Sequence, residues 1–258
     1  MIRLTLVVLL LLTLFITLQL PLQAQSQWMW VEGSNSADQP GVFGTLGVPS
    51  SSNIPGARFS PSMWADSNGK RWFFGGSGFD SVGTYGYLND LWNFDASTLQ
   101  WAWMGGSKTV PNVAGSILGQ PGVYGSLGVA VAANIPGGRT GASSWVDSNG
   151  NFWLFGGKGF DSQSNFSMLN DLWMYSPSSG QWTWTAGSNT DACTGQSSPP
   201  CGQPGVYGTQ GIAAKTNIPG GRSGASSWTD ASGKFWLFGG GWRRLYGHIR
   251  LPQRFVDV

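Results

Sequence analysis

The chain has 258 residues, with 14 Lys and Arg against 12 Asp and Glu, and it carries 40 Gly and 15 Trp at only 10% charged residues. Few charges beside many aromatics and glycines exclude solvated helices and favour strands joined by tight turns. Arg3 and four arginines after Gly241 account for five of the basic residues, which leaves nine basic against eleven acidic residues between them and excludes a nucleic-acid footprint.

Met1-Ile2-Arg3 precede an apolar run from Leu4 to Leu20, and a small residue, Ala24, stands before polar Gln25. One positive charge, an apolar stretch and a small exit residue describe a secretory signal over residues 1–24. The alternative is an uncleaved anchor, since seventeen residues nearly span a bilayer, but no Lys or Arg cluster follows to stop transfer. The expectation is export to the extracellular space, periplasm or cell surface, with no membrane association after removal. No later stretch up to Gly241 keeps apolar residues at helical spacing over three turns, so the fold class is all-β.

Residues 25–57 hold an isolated strand candidate, Trp28-Met29-Trp30, and then a connector. Asn-Ile-Pro-Gly closes that connector at Asn53 and recurs at Asn134 and Asn217, 81 and 83 residues on. A fixed period of this kind indicates a repeat architecture. After each tetrapeptide come Arg58, Arg139 or Arg222, then Trp64, Trp145 or Trp228, then turns opening at Asp66, Asp147 and Asp230 and closing at Gly69, Gly150 and Gly233. Asp first and Gly last fit a four-residue hairpin turn. The apolar runs that follow are too short for helices and stop at paired glycines, Gly75-Gly76, Gly156-Gly157 and Gly239-Gly240.

A loop with Gly78-Phe79-Asp80-Ser81, or Gly159-Phe160-Asp161-Ser162, then leads to Asn89-Asp90-Leu91-Trp92 or Asn170-Asp171-Leu172-Trp173, a turn, and Trp101-Ala102-Trp103 or Trp182-Thr183-Trp184. Alternation along a strand points both Trp of each closing pair to one face. Two hairpins per unit make a four-stranded sheet.

At these residues the chain resembles the kelch-repeat family, whose motif joins a diglycine after an apolar strand to an Asn-Asp-Leu-Trp-like strand and a closing Trp strand. The resemblance implies β-propeller blades: 58–104 a blade, 139–185 a second and 222–241 half of a third, separated by connectors at 105–138 and 186–221. Its motif residues are Gly75, Gly76, Trp92, Trp103, Gly156, Gly157, Trp173, Trp184, Gly239 and Gly240. A kelch unit is nearer ~50 residues; the excess lies in the connectors, which carry Gln-Pro-Gly-Val from Gln39, Gln120 and Gln203 and hold the variable length. Structured connectors on one rim are where a propeller holds a partner. Cys193 and Cys201 sit in the third connector, and in an exported chain they predict a local disulfide.

Residues 242–258 break the pattern. Allowed codons for Trp242 to Val258, moved on by one base, spell GVDSTGTSGYLNDLWM, which agrees with Gly78 to Asn93 at twelve of sixteen positions. The tail therefore reads as out of frame and the propeller as incomplete and open; the nucleotides past Gly241 test this directly.

Recurring carboxylates such as Asp66, Asp80 and Asp90 suit turns better than a single general acid, and Arg58, Arg139 and Arg222 are expected to pair with Asp90 and Asp171 between blades. A copper-radical site like that of the galactose oxidase family needs His, Tyr and a Tyr-linked Cys, and the only histidine, His248, lies in the tail. The turn at Asp147 places its glycine one residue too late for a sialidase Asp-box. No glycine-rich loop precedes a helix to hold phosphate. Trp28, Trp30, Trp101, Trp103, Trp182 and Trp184 are expected to pack blade against blade rather than to stack on sugars. The expectation is a non-catalytic interaction module without catalytic, cofactor or metal residues, its ligand a protein or glycan, with self-association through open blade faces. The alternative is a fragment of a carbohydrate-active or oxidase-like propeller enzyme that lacks its catalytic residues.

Overall fold

The computed structural model describes residues 28–111, 117–191 and 202–241, together with the backbone of 255–257. The signal segment, Cys193, Cys201 and most of the tail lie outside the described residues. Residues up to Glu32 form one unit and Gly33–Val258 the other. In the first unit Trp28, Met29 and Trp30 are exposed and belong to no strand, and the Trp30 indole donates to the carbonyl of nearby Glu32. The strand expected there does not form: among the described residues no strand pairs with its backbone.

In the second unit the first repeat forms β1 (Arg58–Phe59), β2 (Ser62–Ala65), β3 (Arg71–Phe74), β4 (Ser77–Phe79), β5 (Tyr85–Tyr87), β6 (Leu91–Asp95) and β7 (Gln100–Gly105). The second repeats the series as β8 (Arg139–Thr140), β9 (Ser143–Val146), β10 (Phe152–Phe155), β11 (Lys158–Phe160), β12 (Phe166–Met168), β13 (Leu172–Ser176) and β14 (Gln181–Ala186). The third supplies β15 (Ser226–Thr229) and β16 (Phe235–Phe238), and β17 (Phe255–Asp257) follows in the tail.

The main sheets are antiparallel, ordered β2-β3-β6-β7, β9-β10-β13-β14 and β15-β16-β17. These are two four-stranded propeller-type blades and part of a third, arranged without barrel closure. The Asp turns build the first hairpin of each. Asp66 Oδ1 accepts the amides of Asn68 and Lys70 at 2.9 and 3.0 Å, and its Oδ2 accepts the Trp72 indole at 2.9 Å. One carboxylate thus closes the turn and orients the first aromatic of the next strand. Asp147 and Asp230 do the same for Trp153 and Trp236.

One expectation needs correction. The Gly78-Phe79-Asp80-Ser81 and Gly159-Phe160-Asp161-Ser162 segments are not open loops: β4 and β5 pair as a hairpin, as do β11 and β12, and β1 or β8 completes a small sheet. Strands of three residues interrupted by glycine carry too little alternation to be seen in sequence. The tail, in turn, pairs through β17 along the edge of β16.

The blades stack through aromatic faces. Trp64, Trp72 and Phe74 of the first meet Phe152, Tyr175 and Trp182 of the second, with Trp64 stacked on Phe152 at 5.3 Å and Trp182 5.1 Å from Phe74. The opposite face of the second blade sets Trp145 and Phe155 against Phe235 and Leu237 of the third. Trp64 and Trp145 also donate their indole N–H to main-chain oxygens of the following blade. The expected blade-to-blade role therefore holds for Trp182. Trp101 packs within its own blade, on Phe73 and Phe94, since no blade precedes it among the described residues.

Diglycine marks where the next repeat crosses. Gly75 has φ +65°, and a Cβ there would come within 2.8 Å of the carbonyl oxygens of Arg139 and Leu88; Gly156 stands in the same relation to Arg222 and Leu169. Two main chains meet at that point, so only glycine fits.

Candidate binding surface

Each of the two four-stranded blades is locked by a buried ion pair. Arg58 holds Asp90 through Nη1–Oδ1 at 2.6 Å and Nη2–Oδ2 at 2.8 Å, and Arg139 holds Asp171 at 2.7 and 2.8 Å. The pairing partners are those expected, but both members belong to one repeat, so the link runs from the entry of a blade to its own third strand rather than between blades. Trp92 and Trp173, both fully buried, donate their indoles to the same carboxylates at 2.7 Å.

In the second repeat Tyr124 adds its hydroxyl to Asp171 Oδ2 at 2.6 Å. Burial, and then the neighbouring carboxylate, push the Tyr124 hydroxyl well above its usual range. Burial alone opposes the Arg139 charge, and the Asp171 carboxylate more than restores it, so Arg139 is held more firmly protonated than a free arginine. The importance of Tyr124 escapes sequence reasoning. Its only trace is an aromatic ring at the same place in every connector, as Phe43, Tyr124 and Tyr207.

The connectors are clamped to the blade that follows them. In the first, Val42 and Ile54 pair across the loop, Phe43 packs on Trp92 and Trp103 at 4.8 and 5.6 Å, and Asn53 Nδ2 donates to the carbonyls of Val48 and Trp101. Gly47 and Ser50 donate their amides to the carbonyls of Trp103 and Trp101. The connector therefore runs along the outer strand β7 and covers an edge that would otherwise be free to pair. Val123, Tyr124, Gly128 and Asn134 repeat these contacts on β14. Gln-Pro-Gly-Val and Asn-Ile-Pro-Gly are accordingly two sides of one clasp. A Cβ on Gly44 or Gly125 would collide with the side-chain oxygen of Asn53 or Asn134, which explains the glycine opposite each asparagine.

Asp80 and Asp161 tie the following connector in place. Asp80 Oδ1 accepts the amides of Val82 and Thr84, and its Oδ2 accepts the amide of Val110; Asp161 takes Gln163, Asn165 and Asp191 in the same way. These carboxylates form turns, as expected, and anchor a distant segment as well.

The clasp leaves apolar side chains exposed among polar ones. Val48, Val129 and Ile212 stand at equivalent tips and are 50, 48 and 62% exposed, with Leu46 and Leu127 beside the first two at 55% each. Between the end of the first blade and the second connector lies a groove of about 640 Å³, lined by Leu46, Leu91, Met104, Ile135, Tyr175 and Trp182 among others. Its polar neighbours are engaged internally: Asn89 accepts the Ser107 amide, and Gln120 donates to Ser107 and Thr109. Burial raises the Tyr175 hydroxyl to about 12.

The motif residues fall at the blade joints: the glycine pairs at the ends of β3, β10 and β16, and Trp92, Trp103, Trp173 and Trp184 around the Phe43 and Tyr124 rings. Among the described residues no group of three or more His, Cys, Asp or Glu gathers at metal-binding distance, and no helix is long and apolar enough to cross a membrane.

No family model matches the chain, and no curated protein matches it. A solved structure titled "Structure of YjhT" is similar over 74% of this chain and 46% of its own length, at 15% sequence identity and a TM-score of 0.43. The chain thus spans about half the length of that structure, and a likeness at that level names neither a family nor an activity.

Proposed function

We propose that the protein is an exported, non-catalytic kelch-type binding module that presents its clasped connectors to a protein partner, with residues 1–24 removed and Cys193 joined to Cys201. The observation that carries this reading is the row of apolar tips, Val48, Val129 and Ile212, held outward by main-chain bonds at the same place in each repeat. Side chains fixed in this way lose little further freedom on binding, which favours association. A glycan partner held by the connectors would call for ring faces open to solvent beside them, whereas Trp103 and Trp184 there have Phe43 and Tyr124 against them. The carboxylates at the joints are saturated with internal donors, which suits a scaffold rather than proton transfer.

The blade faces at either end of the stack offer a second contact. Met63 is 53% exposed beside half-buried Phe73 and Trp101 on the first blade, and Trp228, stacked on Trp236 at 6.1 Å, is 40% exposed on the third. Taking a blade face as about 360 Å² from strand length and spacing, covering it contributes roughly 9 kcal/mol at about 25 cal/mol per Å². Copies of the chain joined head to tail would bury both faces.

Cross-linking of the exported protein to its neighbours tests the binding reading. The wild-type chain is expected to give a discrete protein adduct that disappears when Val48, Val129 and Ile212 are all changed to Asp while the melting temperature stays within a few degrees. Retention of the adduct in that variant, or binding to a glycan array at Trp-bearing faces instead, refutes it.

A further inference from the structure

The third repeat keeps the buried arginine of the first two but, among the described residues, not its carboxylate. Arg222 is only 3% exposed and keeps the neighbours of its counterparts: Nε donates to the Gly220 carbonyl and Nη1 to the Gly239 carbonyl, each at 3.0 Å, as Arg139 does to Gly137 and Gly156. There the equivalence stops. In the second repeat Arg139 Nη2 and the Tyr124 hydroxyl converge on one carboxylate oxygen, Asp171 Oδ2, at 2.8 and 2.6 Å. In the third, Arg222 Nη2 donates to the Tyr207 hydroxyl itself at 3.0 Å, and among the described residues no carboxylate lies within ion-pair distance of Arg222. A buried guanidinium without a counter-charge is unfavourable.

Register fixes where the missing carboxylate belongs. Asp90 and Asp171 immediately precede Leu91 and Leu172, which pair with Phe74 and Phe155 at the ends of β3 and β10. The equivalent place on β16 is Phe238. There β17 pairs over three residues, against five-residue strands in β6 and β13. The walls of the neighbouring Trp site are also repeated: Phe43 and Tyr124 lie 4.8 and 4.7 Å from Trp92 and Trp173, and Tyr207 is their counterpart.

We propose that Arg222 and Tyr207 form a recognition site for an aspartate on an extended strand of a separate polypeptide, one with Asn-Asp-Leu-Trp chemistry, which adds along β16 in place of β17. Strand addition supplies main-chain hydrogen bonds, the aspartate neutralises Arg222, and the tryptophan enters against Tyr207 while its indole N–H caps the same carboxylate. The two segments of this chemistry in the described chain, β6 and β13 with the aspartates before them, are already paired on both edges, so the occupant comes from elsewhere. The site is independent of the connector tips and rests only on the blade arrangement.

The test uses the full chain and a fluorescent synthetic peptide with the sequence of residues 86–94, compared with the same peptide carrying Asp90→Asn. The aspartate peptide is expected to bind at least tenfold more tightly, and the preference is expected to collapse to about one on the Arg222→Gln chain and to shrink on Tyr207→Phe. Should Arg222→Gln fail to fold, the two peptides on wild type and Tyr207→Phe decide. Equal binding of both peptides to wild type, no binding of either, a preference that survives loss of Arg222, or association between chains that the peptide does not disperse each overturn the proposal.

Discussion

Replacing Asp171 by Asn keeps shape while removing charge, and it tests the lock at the centre of the second blade. Asp171 is fully buried and accepts four short bonds, from both Nη atoms of Arg139, the Tyr124 hydroxyl and the Trp173 indole, all between 2.6 and 2.8 Å. Asparagine offers one oxygen where these donors need two and turns an amide N–H₂ toward the rest. Leaving Arg139 buried without its partner costs about 3 to 5 kcal/mol, and a stranded donor adds about 1 to 3 kcal/mol. Against a domain stability of about 5 to 15 kcal/mol, this combined loss of about 4 to 8 kcal/mol takes a large share of the folding free energy, and the variant is expected to melt roughly 8 to 30 °C lower. Urea unfolding followed by tryptophan fluorescence, at fixed protein concentration, reads the difference. Asp90→Asn is the internal control. Arg58 is less buried, with an 8% exposed side chain, and Phe43 has no hydroxyl to lose, so the cost there is expected to be smaller. A change below about 1 kcal/mol for Asp171→Asn, or a larger effect at Asp90, would refute the reasoning.

Gly156→Ala and Gly239→Ala have similar φ values, +66° and +74°, but the first places its Cβ within 2.8 Å of two carbonyl oxygens, while the second meets none of the described residues within 4 Å. Both variants are expected to lose about 1 kcal/mol from the backbone conformation, with Gly156→Ala melting well below Gly239→Ala. Tyr124→Phe deletes one of the donors on Asp171 and is expected to cost about 1 to 2 kcal/mol in the same urea assay. In pH titration, burial raises the Tyr175 hydroxyl to about 12. Its stabilising effect is complete below the ordinary tyrosine value near 10 and is lost as pH climbs through 12, about 2 to 3 kcal/mol in all, and Tyr175→Phe should flatten that alkaline limb. At the acid end Asp147 is held below the usual carboxylate range: burial opposes this, and donation from the Trp153 indole and from Asn151 outweighs it. That contribution is present above pH ~4 and disappears as pH falls below it. Met63→Glu, at a side chain 53% exposed on the first blade's outward face, is expected to reduce any concentration-dependent sedimentation while leaving the melting temperature within a few degrees.

Much of the blade was legible from local chemistry. Asp66 and Gly69, Asp147 and Gly150, and the glycine pairs mark hairpins because turn geometry and positive φ depend on a few adjacent residues, and alternation over four residues shows which aromatics share a face. The repeat period located the connectors, and the pairing of Arg58 with Asp90 was readable from recurrence. What only the tertiary structure decided are relations between residues far apart in the chain. That Arg139 closes its own blade, that Asp80 anchors Val110, that the clasp from Val42 to Ile54 covers the edge of β7, and that Tyr124 completes a buried cluster all depend on which main chains meet in space. Short strands such as β4 and β5 stayed hidden for the same reason, since two or three residues become a sheet only when a partner arrives. Propensity and turn chemistry act over a handful of bonds, whereas a carboxylate's value as a lock depends on the donors that folding gathers around it and the water it removes.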